Sequence, residues 1–133
     1  MTPEENKKVV QEAYAAFGRG DIPALMNTLS PNVQWDPVIG AGPNVPTRGR
    51  RTGPQEVGKF FEQLGNAVDF KRFEPRQFVA EGDTVAVLGF YDAVAKPTGR
   101  PFASDWVMVF TLSEGKISRF QEFTDSLGLT NAF

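Results

Sequence analysis

The stretch DTVAVLGFYDAVAKPTGRPFASDWVMVFTLSEGKISRFQEFTD, residues 83–125, decides the fold. It reads as three consecutive long strands. Asp83–Ala95 and Pro101–Leu112 are joined by Lys96-Pro97-Thr98-Gly99-Arg100, and Lys116–Asp125 follows across the tight Ser113-Glu114-Gly115 turn. Side chains at i and i+2 share a sheet face. With even-numbered positions grouped, one face carries Ala86, Leu88, Phe90 and Asp92, then Trp106, Met108 and Phe110, then Phe120, Glu122 and Thr124. That face is apolar with two acids set into it. A buried carboxylate is costly unless paired or protonated, so such acids serve either as structural ion pairs or as chemistry.

The rest of the chain supplies cover for this sheet. Thr2-Pro3-Glu4-Glu5 is a helix start, with Thr2 as N-cap, Pro3 in the first turn and Glu5 closing a capping box. Val9, Val10, Ala13, Tyr14 and Phe17 recur at helical spacing, and Gly18 and Gly20 stop the helix. Asp21 caps a short second helix through Leu29. Val33–Asp36 is a first strand, and residues 37–53 form a long loop rich in Pro, Gly and Arg, of the kind that often serves as a lid. Gly53-Pro54-Gln55-Glu56 starts a third helix with Val57, Phe60, Phe61 and Leu64 on one side, and Phe70–Ala80 is a further strand broken near Pro75. Helices followed by a strand meander give an α+β domain spanning residues 1–133. The odd-numbered face, with Val85, Val87, Tyr91, Val107, Val109 and Phe123, is apolar as well. Helices cover one side of a small sheet only, so the other side is expected to meet a second copy in a homodimer.

Composition narrows the chemistry. The hydrophobic fraction is 41% and there are twelve Phe, which suits either a dense core or a large apolar cavity. A net charge of −2 without a basic stripe gives nucleic acid no electrostatic footing. With no Cys and no His, thiolate chemistry, Ser-His-Asp chemistry and the commonest metal ligands are missing, so no metal and no cofactor are expected. Acid–base work falls to Asp, Glu, Tyr, Lys or water. No apolar run approaches a membrane span, and the reading is a cytoplasmic protein with no membrane partner.

The order helix, short helix, Val33-Gln34-Trp35-Asp36-Pro37, loop, helix and meander is characteristic. With it come Gly20-Asp21 after the first helix, Glu81-Gly82-Asp83 before a long strand, and Glu114-Gly115-Lys116-Ile117 before the last. On these residues the chain resembles the SnoaL-like and ketosteroid-isomerase-like group of the nuclear-transport-factor-2-like superfamily. The resemblance implies a cone-shaped curved antiparallel sheet wrapped by about three helices from the N-terminal half, a cystatin-like α+β barrel with an internal pocket. The fold hosts polyketide cyclases, isomerases, hydrolases, dehydratases and non-catalytic modules alike.

The resemblance also places residues. Asp36 lies where isomerase-type members carry a general base; the competing reading is an Asp-Pro turn starter. Ketosteroid isomerase, the familiar case of this chemistry, pairs an Asp base with an oxyanion hole of Tyr and protonated Asp. Here Tyr14 is one residue displaced from the family tyrosine, and Trp106 holds the position of the acid, so the dyad is not intact. Asp92 and Glu122 match the two acids of epoxide-hydrolase-like members, but Phe90 replaces the intervening arginine. Arg48, Arg50 and Arg51 could clamp an anion or form a solvated loop edge. Asp125 is expected to cap a helical turn at Ser126–Leu129. The expected catalytic set is therefore Asp36, Glu122, Asp92 and Tyr14. The expected ligand contacts are Phe60, Leu64, Phe90, Trp106, Met108, Phe120 and Thr124, around a small hydrophobic carbonyl-bearing or polycyclic molecule. The activity implied is isomerase, cyclase or dehydratase chemistry without a cofactor; the alternative is a binding or assembly protein of the same fold.

Overall fold

The computed structural model describes all residues, Met1–Phe133. The chain runs α1 (Pro3–Gly18), α2 (Ile22–Met26), β1 (Leu29–Asp36), β2 (Arg51–Thr52), α3 (Gly53–Ala67), β3 (Val68–Glu81), β4 (Thr84–Ala95), β5 (Arg100–Ser113), β6 (Lys116–Phe123) and α4 (Ser126–Ala132). The strands form one six-stranded sheet in the order β2-β1-β6-β5-β4-β3. All pairings are antiparallel except β1 with β6, which run parallel. The expected α+β cone is thus present, with one parallel seam inside it.

The capping signals act as read, but α2, expected through Leu29, stops at Met26, and β1, expected from Val33, already starts at Leu29. Thr2 Oγ1 accepts from the Glu5 N–H and Glu5 Oε1 accepts from the Thr2 N–H, closing the capping box of α1. Asp21 caps α2 through the Ala24 N–H, and Asp125 caps α4 through the Gly128 N–H. Glu114 and Gly115 both have positive φ, 51° and 77°, the geometry of a tight two-residue hairpin turn. The long strand β3 has register shifts at Phe70/Arg72 and Pro75/Gln77. Bulges of this kind bend a strand and let it curl around a core. The four helices and the 37–50 loop close the concave side, over a core that includes Val10, Val33, Val57, Val85, Val87, Trp106 and Ile117.

Register decides which side chains face that core. Ala95 pairs with Arg100, so only Lys96–Gly99 lie in the turn between β4 and β5. A five-residue connector, as read from sequence, would pair Ala95 with Pro101. The one-residue difference turns every side chain of β4 to the other face. Odd positions of β4 (Val85, Val87, Tyr91) therefore share the inner face with Met108, Phe110, Phe120 and Glu122. Phe90 and Asp92 lie on the outer face, correcting the expectation for both. The β5–β6 grouping holds because a two-residue turn is followed by a bulge at Thr111/Leu112, which restores the parity.

On the outer face the Arg72 and Arg76 guanidiniums each lie 5.0 Å from the Phe90 ring centroid, and Glu74 bonds both arginines. Val79, Leu88, Val107 and Phe123 are large apolar side chains left exposed there. No helix is long and apolar enough to cross a membrane.

Candidate active site

The concave side holds a partly open cavity of about 80 Å³. Twenty residues line it, and eighteen of them are hydrophobic. Each major element contributes: Ala13, Tyr14 and Phe17 from α1, Trp35 from β1, Phe60, Phe61 and Leu64 from α3, Phe70 and Phe73 from β3, and Met108 and Phe110 from β5. Val38 and Thr47 from the loop and Leu129 from α4 complete the wall. The Phe rings around the cavity pack edge-to-face and tilted on one another, and Trp35 stacks on Phe120 with ring centroids 3.9 Å apart.

Glu122 is the one carboxylate in this wall. It is 6% exposed, and no Lys or Arg lies within ion-pair distance. Its Oε1 accepts from the Val38 N–H at 3.2 Å and its Oε2 from the Tyr91 hydroxyl at 3.1 Å. Tyr91 Oη is also 2.7 Å from Thr124 Oγ1, so a Thr124 → Tyr91 → Glu122 relay lets one hydroxyl proton point at the carboxylate. Burial pushes the Glu122 carboxyl up to about 7, while the Val38 and Tyr91 hydrogen bonds pull the other way. A carboxyl held near neutrality exchanges protons in both directions at working pH.

The Val38 amide reaches Glu122 through an unusual backbone. Val38 has φ +41°, a left-handed conformation that a β-branched residue rarely adopts. Strain of this kind costs about 1–3 kcal/mol and persists only where neighbours over-determine it. Here the Val38 N–H bonds the Glu122 carboxylate and the Ile39 N–H bonds the Glu122 carbonyl oxygen at 3.0 Å, so both sides of one residue on β6 hold the loop.

Tyr14 faces the same cavity. Its hydroxyl donates to Met108 Sδ at 3.0 Å, a weak acceptor. Burial first, and then the Glu122 charge, hold the phenol well above its usual range, so it stays a proton donor.

Asp36 is not in the cavity. On β1, Val33 and Trp35 point inward, and Asp36 points outward. Arg50 holds it with Nε at 2.8 Å from Oδ1 and Nη2 at 3.2 Å from Oδ2, and Arg119 Nη2 stands 3.6 Å from Oδ2. The residue expected as base is a bidentate ion pair that ties the loop to the strand end. This also assigns Arg50. Arg51 bonds the Arg48 carbonyl and lies 5.5 Å from the Phe60 ring centroid. Asp92 sits opposite Arg72 and Ala103 on the outer side, away from Glu122. No group of three or more His, Cys, Asp or Glu side chains could hold a metal ion.

Of the expected ligand contacts, Phe60, Leu64, Met108 and Phe120 line the cavity. Trp106 stands behind the wall, 5.4 Å from Phe73 and 6.1 Å from Tyr14 between ring centroids. Its indole packs where Gly89 has no side chain: a Cβ there would collide with Trp106 Cζ2 and lie 2.6 Å from the Glu74 carbonyl oxygen. Thr124 acts through Tyr91, and Phe90 is on the far face. Tyr91, Val38 and Thr47 had no place among the expected site residues. The β4 register would have found Tyr91; nothing in the sequence announces the Val38 conformation.

The sequence profile of the SnoaL-like domain matches residues 10–120. The chain belongs to the SnoaL-like family. The fold agrees: a nuclear-transport-factor-2-like protein from Burkholderia xenovorans is 30% identical, with 99% of this chain and 98% of that one aligned at a TM-score of 0.88. One from Burkholderia thailandensis is 28% identical, with coverage of 99% and 98% and a TM-score of 0.85. A Xanthomonas campestris protein provisionally assigned as a polyketide cyclase is 18% identical over 98% and 97%, with a TM-score of 0.77, a likeness of fold. No curated protein matches the chain. In this SnoaL-like chain the buried acid, Glu122, lies on β6 and is met by neutral donors.

Proposed function

We propose that this SnoaL-like protein is a cofactor-independent small-molecule enzyme that moves a proton on an apolar, carbonyl-bearing ligand. The observation that carries the reading is Glu122: a carboxyl buried in an apolar cavity, pushed up to about 7, bonded only by neutral donors. In the ionised form Glu122 takes a proton from the carbon alpha to the ligand carbonyl. The C–H electron pair moves into the carbonyl, and Tyr14 donates its hydroxyl to the resulting enolate oxygen. Glu122, now neutral, returns the proton to the same carbon or to a conjugated one. Return to another carbon is isomerisation; ring closure or loss of water from the enolate gives cyclase or dehydratase outcomes.

The cavity of about 80 Å³ is smaller than the roughly 150 Å³ that holds a benzene molecule, so a ligand of even one ring requires the aromatic walls to move apart. The test is hydrogen–deuterium exchange at the alpha carbons of small cyclic ketones in D₂O, followed by NMR. Exchange accelerated by wild type and lost in Glu122→Gln supports the proposal. Equal exchange in both proteins removes it.

A second reading, binding without turnover, draws on the density of rings around so small a gap. It predicts ketone binding with no exchange. A homodimer is part of the proposal in either case. The outer face exposes Leu88, Val107 and Phe123 beside both arginines and acids (Arg72, Arg76, Asp92, Asp105), a mixture that two copies related by a twofold axis can satisfy mutually. Light scattering that finds only monomer at high concentration contradicts it.

A further inference from the structure

Two of the twenty cavity-lining residues are not hydrophobic: Glu122 and Thr47. Glu122 has its protein donors. Thr47 is 3% exposed, and its hydroxyl takes part in none of the side-chain hydrogen bonds around the loop and α4. Four side-chain polar atoms are sealed from any neighbour they could bond (Asn6 Oδ1, Trp35 Nε1, Arg51 Nη1 and Trp106 Nε1), and Thr47 Oγ1 is not among them. The Thr47 hydroxyl therefore keeps some accessible surface, and Thr47 is one of the residues lining the cavity.

The loop holds Thr47 there firmly. Val45 and Thr47 are buried, while Pro46 and Arg48 between and after them are exposed. The Val45 N–H bonds the Gly42 carbonyl and the Arg48 N–H bonds the Val45 carbonyl, so the segment is a run of turns. It is fastened to α4 by the Gly42 N–H on Thr130 Oγ1 at 2.9 Å and by packing of Val38 and Val45 with Leu129. If sealing the cavity were the only task, valine would fit this position and avoid the cost of burying a hydroxyl without a partner.

We infer that Thr47 is a second polar contact for the ligand, so that the molecule this cavity takes carries two oxygen functions, one met at Glu122 and Tyr14 and one at Thr47. The inference rests on the cavity being the ligand site proposed above, and it narrows the substrate class to small rings bearing a carbonyl and a further hydroxyl or carbonyl. Thr47 would select the substrate and hold it in register; proton transfer remains with Glu122.

The test uses phenol, catechol, resorcinol and hydroquinone as probes of one ring with one or two oxygens, titrated calorimetrically into the full-length protein. At least one dihydroxybenzene binds wild type about fivefold tighter than phenol, the worth of one hydrogen bond. Thr47→Val brings that ratio to one, and Thr47→Ser keeps it. In the ligand-free protein Thr47→Val melts no lower than wild type, because no protein partner is lost. A ratio that survives in Thr47→Val, no dihydroxybenzene better than phenol in wild type, or a ligand-free Thr47→Val that melts several degrees lower overturns the inference alone. Failure of all four probes to bind overturns the cavity reading and this inference with it.

Discussion

Asp36 and Glu122 lie on adjacent parallel strands, one residue out of step, because Asp36 pairs with Gln121. That single step puts them on opposite sides of the sheet. Outside, Asp36 is held by Arg50 with Arg119 close by. Inside, Glu122 meets only an amide and a phenol. The two surroundings teach different things about the same functional group. Paired cations turn a carboxylate into a fastening between loop and strand. Burial with neutral donors leaves the charge poorly compensated and turns the group into a proton carrier near pH 7.

The contrast breaks most visibly in activity. Glu122→Gln should lower alpha-proton exchange on small ketones by about 100-fold or more, the range that one general acid–base group supplies. Asp36→Asn should change the same rate by less than about twofold. A larger loss in Asp36→Asn than in Glu122→Gln would reverse the assignment.

Stability against pH sharpens it next. The folded carboxyl of Glu122 sits above its unfolded value of 4.5, at about 7. Between those pH values the native state holds a proton that the unfolded chain has released. Stability from this group is therefore fully present below about pH 4.5 and is lost as pH rises to about 7, by on the order of 3 kcal/mol. Urea unfolding at pH 4.5 and pH 8 should show that fall in wild type, and Glu122→Gln should remove most of it.

Packing behind the wall gives a smaller effect. Gly89→Ala drives a methyl group against Trp106 and the Glu74 carbonyl, and should cost about 1–3 kcal/mol in urea unfolding. A neutral result would mean that Trp106 is not anchored through that gap. Tyr91→Phe should cost least, about 1 kcal/mol for one buried hydrogen bond. Its informative readout is direction: without the phenol donor, the Glu122 midpoint moves upward, visible as an upward shift in the pH dependence of exchange.

How much of this was legible in the sequence depended on the range of the interaction that decides it. Capping at Thr2, Asp21 and Asp125 is local, and the residues that carry it are adjacent in the chain. The helix–strand order and the acid at Glu122 were likewise readable, since β5 and β6 keep a common parity. The pairing of Ala95 with Arg100 rather than Pro101 was not. Both turns are compatible with Lys96-Pro97-Thr98-Gly99, and one residue of register exchanged Phe90 and Asp92 for Tyr91 in the site. Asp36 failed for a related reason. The resemblance carried a role to its position, but alternation from Trp35 sends this side chain outward, and Arg50, fourteen residues on in the loop, meets it there.

The most direct measurement is a carbon-detected NMR titration of the Glu122 side-chain carboxyl, assigned by its loss in Glu122→Gln. A midpoint near 7 is the predicted result. A midpoint in the ordinary carboxylate range, about 4, would mean that the group is charged and solvated at neutral pH, and would contradict the account of the cavity as a site of proton transfer.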